Sequence, residues 1–183
     1  GGSAAGGAPG LCALSTLDAG VPGGEIYPDG GFLPGGSAVQ ADGGVFATAT
    51  STYSGYPASN VLDFDVSTSW YIDSTCFAWF SLSCCAAESI LLNLAQPRTL
   101  VGVVLRGNRG AYEDGYDFLT GRLDFYDASA ALIATRTVVF NRPDGDWATT
   151  LSPPVPGVRA VRFTPGLAED SASGIADIRL YAQ

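Results

Sequence analysis

From Val45 onward the chain breaks into short runs of alternating apolar and polar residues, punctuated by Gly, Pro, Asp and Asn. Helical periodicity is weak throughout. This texture constrains the fold more than any other feature, because a period of two puts successive side chains on opposite faces of an extended strand. Strands are expected at VFATAT (45–50), SILLNLA (89–95), TLVGVVLRG (99–107), LTGRLDFYD (119–127), LIATRTVVF (132–140), WATTLS (147–152), VRAVRFTP (158–165) and IADIRLYA (175–182). In the fourth, Leu123 and Phe125 point one way while Arg122, Asp124 and Tyr126 point the other; Val161 with Phe163 and Ile178 with Leu180 repeat the spacing. About eight strands, with turn sequences such as PDGD and NRP, predict an all-β chain folded as an antiparallel β-sandwich or jelly roll.

Residues 1–43 differ, being dominated by Gly, Ala, Ser and Pro, and read as an N-terminal extension ahead of one domain over 44–183. Such a segment stays ordered only when held, since each fixed residue costs about 1–2 kcal/mol of backbone entropy. It therefore packs on its own domain or on a neighbouring molecule. The chain opens Gly1-Gly2-Ser3 and contains no Met, which reads as a processed or excised product. No run of about 18 apolar residues occurs, so no membrane-spanning helix is expected.

Charge and composition narrow the chemistry. The net charge is −9, and all nine basic residues are Arg. An acidic surface repels phosphate backbones, so nucleic acid is a poor partner. With no His and no Lys, the chain lacks Ser-His-Asp and Cys-His catalysis, His-ligated zinc, Schiff-base chemistry and a P-loop. Abundant Ala, Gly and Arg without Lys points to a high-GC bacterial genome. The four cysteines, Cys12, Cys76, Cys84 and Cys85, suit a secreted or cell-surface chain with disulfides. Cys76 is expected to pair with Cys84 or Cys85, and Cys12 with the other; adjacent cysteines close a strained ring.

The segment SGYPASNVLDFDVSTSWY (54–71) resembles the early loop of the coagulation factor V/VIII type C, or discoidin, family and of bacterial family 32 carbohydrate-binding modules. That family's pattern, roughly A-x-N-x-x-D-G-D-x-x-T-x-W, is met by Ala58, Asn60, Asp63, Asp65, Thr68 and Trp70, with Phe64 where Gly is usual. SILLNLAQPRTLVGVVLRGN is similar to the family's next strand pair, and GIADIRLYA to its last strand. The resemblance covers about residues 44–182 and implies a galactose-binding-domain-like jelly roll. Trp70 falls at a core position.

The loop also suits a structural Ca2+ on chemical grounds, since calcium takes six to eight oxygen ligands. Asp63, Asp65 and Thr68, with a carbonyl from Asn60, can wrap one ion. The resemblance implies that Asp177 and the carbonyl of Ala176 close the site from the last strand. The competing reading is that Asp63 and Asp65 simply accept backbone N–H groups in a turn. Gly at the Phe64 position often serves a positive φ.

Discoidin-type modules usually bind ligands on loops at one end of the sandwich. Sugars are held by aromatic faces together with Arg, Asn or Asp. The candidates here are Asn108, Arg109, Tyr112, Asp114 and Tyr116, with Glu113 between them, and Trp147 beside Asp144 and Asp146. The Cys-rich stretch adds Phe77, Trp79 and Phe80. The family is not catalytic, and solvated turns account for the adjacent carboxylates, so no enzyme is expected. The expected function is a non-catalytic extracellular module attaching its carrier or cell to a glycan or polysaccharide. The alternative is a structural subunit of an extracellular filament or homo-oligomer, chained together through the extension. A third is an accessory domain of a larger secreted hydrolase.

Overall fold

The computed structural model describes residues 37–39, 44–73, 83–84, 87–108, 116–140, 145–168 and 173–183. Within them the strands are β1 (Ser37–Ala38), β2 (Val45–Ala49), β3 (Trp70–Tyr71), β4 (Ser83–Cys84), β5 (Ile90–Gly107), β6 (Thr120–Tyr126), β7 (Leu132–Val139), β8 (Trp147–Pro165), β9 (Leu167–Ala168) and β10 (Gly174–Ala182), with a 3-10 turn over Ala58–Leu62. Every pairing between these strands is antiparallel, and one continuous eight-stranded sheet folds into two layers around the core, with β4 and β9 as a separate small ladder.

Two strands run through both layers. The first part of β5 pairs with β2 and with the second part of β8, which continues to β6 and β7. The rest of β5 pairs with the first part of β8 and with β10, which also carries β1 and β3. The sequence predicts breaks at 96–98 and 153–157. Instead the two strands bend together, with register shifts between Asn93 and Gly102 absorbing the bend. Four predicted strands thus merge into two.

The core takes one face of each sheet. Ile90, Leu92, Leu94, Val103 and Leu105 of β5 meet Leu123 and Phe125 of β6, Val161 and Phe163 of β8, and Ile178 and Leu180 of β10. Trp70 is fully buried among them, and its Nε1 donates to the Ser51 carbonyl. A second apolar cluster of Val101, Val104, Ala148 and Tyr181 explains why the middle of β5 is apolar without alternation.

The domain also begins earlier than composition suggests. Ser37 and Ala38 pair with Ala182 and Tyr181, and Val39 is buried in the core. Main-chain groups make this pairing, so a Gly/Ala-rich segment gives no periodic signal for it.

On the outer face of β6, the predicted Arg122–Asp124–Tyr126 row becomes a polar cluster. Asp124 accepts from Arg162 Nη2 at 2.9 Å, Arg122 Nε at 3.1 Å and Thr135 Oγ1 at 3.0 Å. Burial opposes its charge, but these hydrogen bonds prevail and hold its pKa below the ordinary carboxylate value.

Candidate functional site

The loop after the 3-10 turn is folded by its own side chains. Asp63 Oδ1 accepts the Asp65 N–H at 2.9 Å and Asp63 Oδ2 accepts from Thr68 Oγ1 at 2.7 Å. Asp65 Oδ1 accepts the N–H and hydroxyl of Ser67 at 2.9 and 2.6 Å. The turn reading of these carboxylates is therefore observed in this structure. Asn60 anchors the loop differently: its side-chain amide donates to the Ser69 carbonyl at 2.9 Å, and its own carbonyl accepts from the Asp63 N–H. Phe64 holds the left-handed backbone that Gly would favour, with φ of 63°.

β10 supplies the opposite wall. Ile175 pairs with Gly107 and Asp177 with Arg106, so Ala176 is the extra residue of a β-bulge. The bulge turns Ile175 into the core while Asp177 and Arg179 share the other face. The spacing of Ile175 from Ile178, three where a regular strand needs an even number, is the sequence signal for it. Asp177 is 1% exposed; Oδ2 accepts from Arg179 Nε, whereas Oδ1 is buried with no hydrogen-bond partner. Burial raises the Asp177 pKa, Arg179 works against that rise, and the negative charge of Asp63 adds to it. Asp63, distant in sequence, thus lies near enough for its charge to act on Asp177. Arg179, absent from the sequence candidates, also lies over the Phe64 ring at 5.1 Å and ties the loop to the strand.

These residues fit a cation in part. Among the described residues no three His, Cys, Asp or Glu side chains cluster around one point. A hard ion here would draw on Asp63, Asp177 and neutral oxygens. The orphaned Asp177 Oδ1 is the atom that such an ion would satisfy.

Beside this loop lies an end of the sandwich where several chain segments meet. The Ile72 N–H bonds to the Ser173 carbonyl, the Gly174 N–H to the Tyr116 carbonyl, and the Phe140 N–H to the Leu119 carbonyl. Gly107 and Gly145 touch backbone to backbone: a Cβ on Gly107 would sit 2.6 Å from the Gly145 carbonyl oxygen, and Gly145 itself has φ of 61°. Only glycine fits that crossing. Asp146 fastens it, ion-pairing with Arg106 and accepting the Gly107 N–H, with both charged side chains under 10% exposed.

Two of the residues expected at the sugar site are buried. Trp147 pairs with Leu105 and points into the core, at 7% exposure. Asn108 is buried, its amide oxygen accepting from the Ser69 and Tyr71 hydroxyls and its N–H donating to Asp117. It is a strut beneath the loop end. Asp146 is likewise a buried ion-pair partner. Tyr116 is half-buried at that end, its carbonyl holding Gly174. Arg109, Tyr112, Asp114, Glu113, Asp144, Phe77, Trp79 and Phe80 lie outside the described residues, as do Cys12, Cys76 and Cys85. Cys84 is placed by its backbone opposite Leu167 in the small β4–β9 ladder.

No family model and no curated protein matches the sequence. Solved structures do match. The family 32 carbohydrate-binding module of Clostridium perfringens NanJ, in complex with galactose, superposes with a TM-score of 0.63 at 17% identity, covering 80% of this chain and 98% of that one. The F5/8 type C domain of a Bacteroides fragilis protein gives 0.61 at 20%, covering 82% and 99%. The chain has the discoidin fold. A fucose-binding module of Streptococcus pneumoniae gives 0.56 at 13%, covering 75% and 93%. At these identities the likeness speaks for the discoidin fold alone, and that fold is the one the 54–71 segment implied. No helix among the described residues is long and apolar enough to cross a membrane.

Proposed function

We propose that this discoidin-fold chain is a non-catalytic, extracellular glycan-binding module whose ligand sits at the loop end beside Gly145 and Tyr116, and whose 58–68 loop is fastened to β10 by calcium. The observation that carries the calcium reading is the buried Asp177 Oδ1 left without a hydrogen-bond partner where the charge of Asp63 also acts. The solved neighbours add weight: discoidin-fold modules are recorded with galactose, with GalNAc-β-1,3-galactose and as fucose binders. In the proposed site Asp63 and Asp177 supply charge, Asn60 and Ala176 carbonyls, Thr68 a hydroxyl, and Asp65 a further oxygen.

Calorimetric titration with galactose, N-acetylgalactosamine and fucose, backed by a glycan array, should find at least one ligand with a Kd at or below the millimolar range. Silence across the array overturns the glycan reading. Calcium is tested separately. A folded-state ligand at 100 times its Kd adds about 2.7 kcal/mol, so exhaustive chelation should lower Tm by about 5–10 °C. An unchanged melt, with no metal found by mass spectrometry, removes the calcium claim and leaves the sugar claim standing.

The assembly alternative gains nothing from the described end of the extension, since Ser37–Val39 lie on the chain's own sheet.

A further inference from the structure

We infer that the chain carries a second saccharide site, a groove on the outer face of the β2–β5–β8–β6 sheet that accepts an acidic, uronate-containing glycan. Two cross-strand rows supply six of its lining residues, Thr48, Leu91, Arg162, Asn93, Ala160 and Tyr126. Thr48, Leu91, Arg162 and Asp124 lie in register across the four strands, and Phe46, Asn93, Ala160 and Tyr126 form the next row. Ala160, small and set between Asn93 and Tyr126, leaves a depression. The resulting groove holds about 690 Å³ and is closed at one side by the turn after β6. It is built from β2, β5, β6 and β8, not from the β10 wall that faces Asp63.

The chemistry of the lining selects the ligand. Arg162 and Asp127 are committed: Arg162 bonds to Asp124 and lies 5.1 Å over the Tyr126 ring, and the Asp127 carboxylate accepts from the Ser129 N–H and hydroxyl and the Ala131 N–H of its own turn. Arg159 is half-buried and has no ion pair or hydrogen bond among the described residues. The Asn93 amide, half-buried and facing the groove, also has no partner there. A guanidinium and an amide so placed offer donors for a carboxylate and a donor–acceptor pair for a hydroxyl. Leu91 and Ala160 between them present apolar surface for the C–H face of a sugar ring.

Other ligands fit less well. A peptide adding to a sheet needs free edge strands, and this groove crosses the interior of one. Each ring of a uronate chain carries one carboxylate, which can reach Arg159 while its ring lies on Leu91 and Ala160.

The test is calorimetric titration of the full chain with trigalacturonate and with neutral galactotriose, followed by amide chemical-shift mapping. The expected result is trigalacturonate binding that weakens with salt, shifts at Asn93, Tyr126 and Arg159, and a loss of affinity of about tenfold in Arg159→Ala. Asn93→Ala should weaken binding with an unchanged Tm, since the amide holds nothing in the free protein. No trigalacturonate binding at millimolar concentration overturns the inference. So do shifts confined to Ile72, Tyr116 and Gly145, which would assign the ligand to the loop end. Equal binding of a poly-glutamate peptide overturns the saccharide assignment. Binding of galactotriose at the loop end is independent of all these outcomes, so the two sites stand or fall separately.

Discussion

Replacing Asp146 with Ala is expected to cost about 3–5 kcal/mol of stability, because it strands the buried Arg106 guanidinium without its counter-charge. The two side chains are 7% and 9% exposed, so water cannot take over the lost partner. The same substitution frees the Gly107 N–H, which Asp146 Oδ1 accepts. Asp146→Asn keeps an acceptor for that N–H but loses the charge, and should fall between wild type and Ala. Urea unfolding monitored by tryptophan fluorescence measures both. A loss under about 1 kcal/mol for the Ala variant would mean that Arg106 swings out to solvent, and the pair would then not clamp the loop end. If the clamp is real, any sugar bound beside Gly145 should also bind more weakly in Asp146→Asn, since the Gly107–Gly145 crossing sits directly on it.

Trp70→Ala is expected to cost a similar amount, about 3–5 kcal/mol, chiefly from the cavity it leaves. Trp70 has no exposed surface and packs near Phe118, with ring centroids 6.2 Å apart. Its backbone pairs with Ile175, one residue from the bulge at Ala176. The side chain thus holds the end of the 58–68 loop against the strand that carries Asp177. Trp70→Phe retains most of the volume and gives up the hydrogen bond to Ser51, worth about 1 kcal/mol. Unfolding free energies of the two variants separate packing from hydrogen bonding. An Ala variant as stable as wild type would remove Trp70 from the core and with it the alignment of the 54–71 segment. Chelation should lower the Tm of Trp70→Ala by less than that of wild type if the loop is no longer held against Asp177.

Alternation along single strands was legible without any structure. Leu123 and Phe125 are in the core, Arg122, Asp124 and Tyr126 are on the opposite face of the strand, and the Ile178–Leu180 and Val161–Phe163 pairs face the core as their spacing requires. The motif around Asp63 was legible too, and so was a positive φ at the position where Phe64 replaces Gly. These features depend on neighbours within a few residues, which a linear sequence displays directly.

What the sequence alone determined, then, was an all-β chain with an acidic loop and a core Trp, because period and local turn chemistry are properties of adjacent residues. Tertiary structure decided whatever depends on strands meeting. It set Asp63 against Asp177, buried Trp147 and Asn108 where loop positions suggested exposure, merged strands across 96–98 and 153–157, and drew Ser37–Val39 into the sheet. The physical reason is common to all four. Burial, backbone pairing and charge–charge interaction act through space, and the residues that they join lie far apart along the chain.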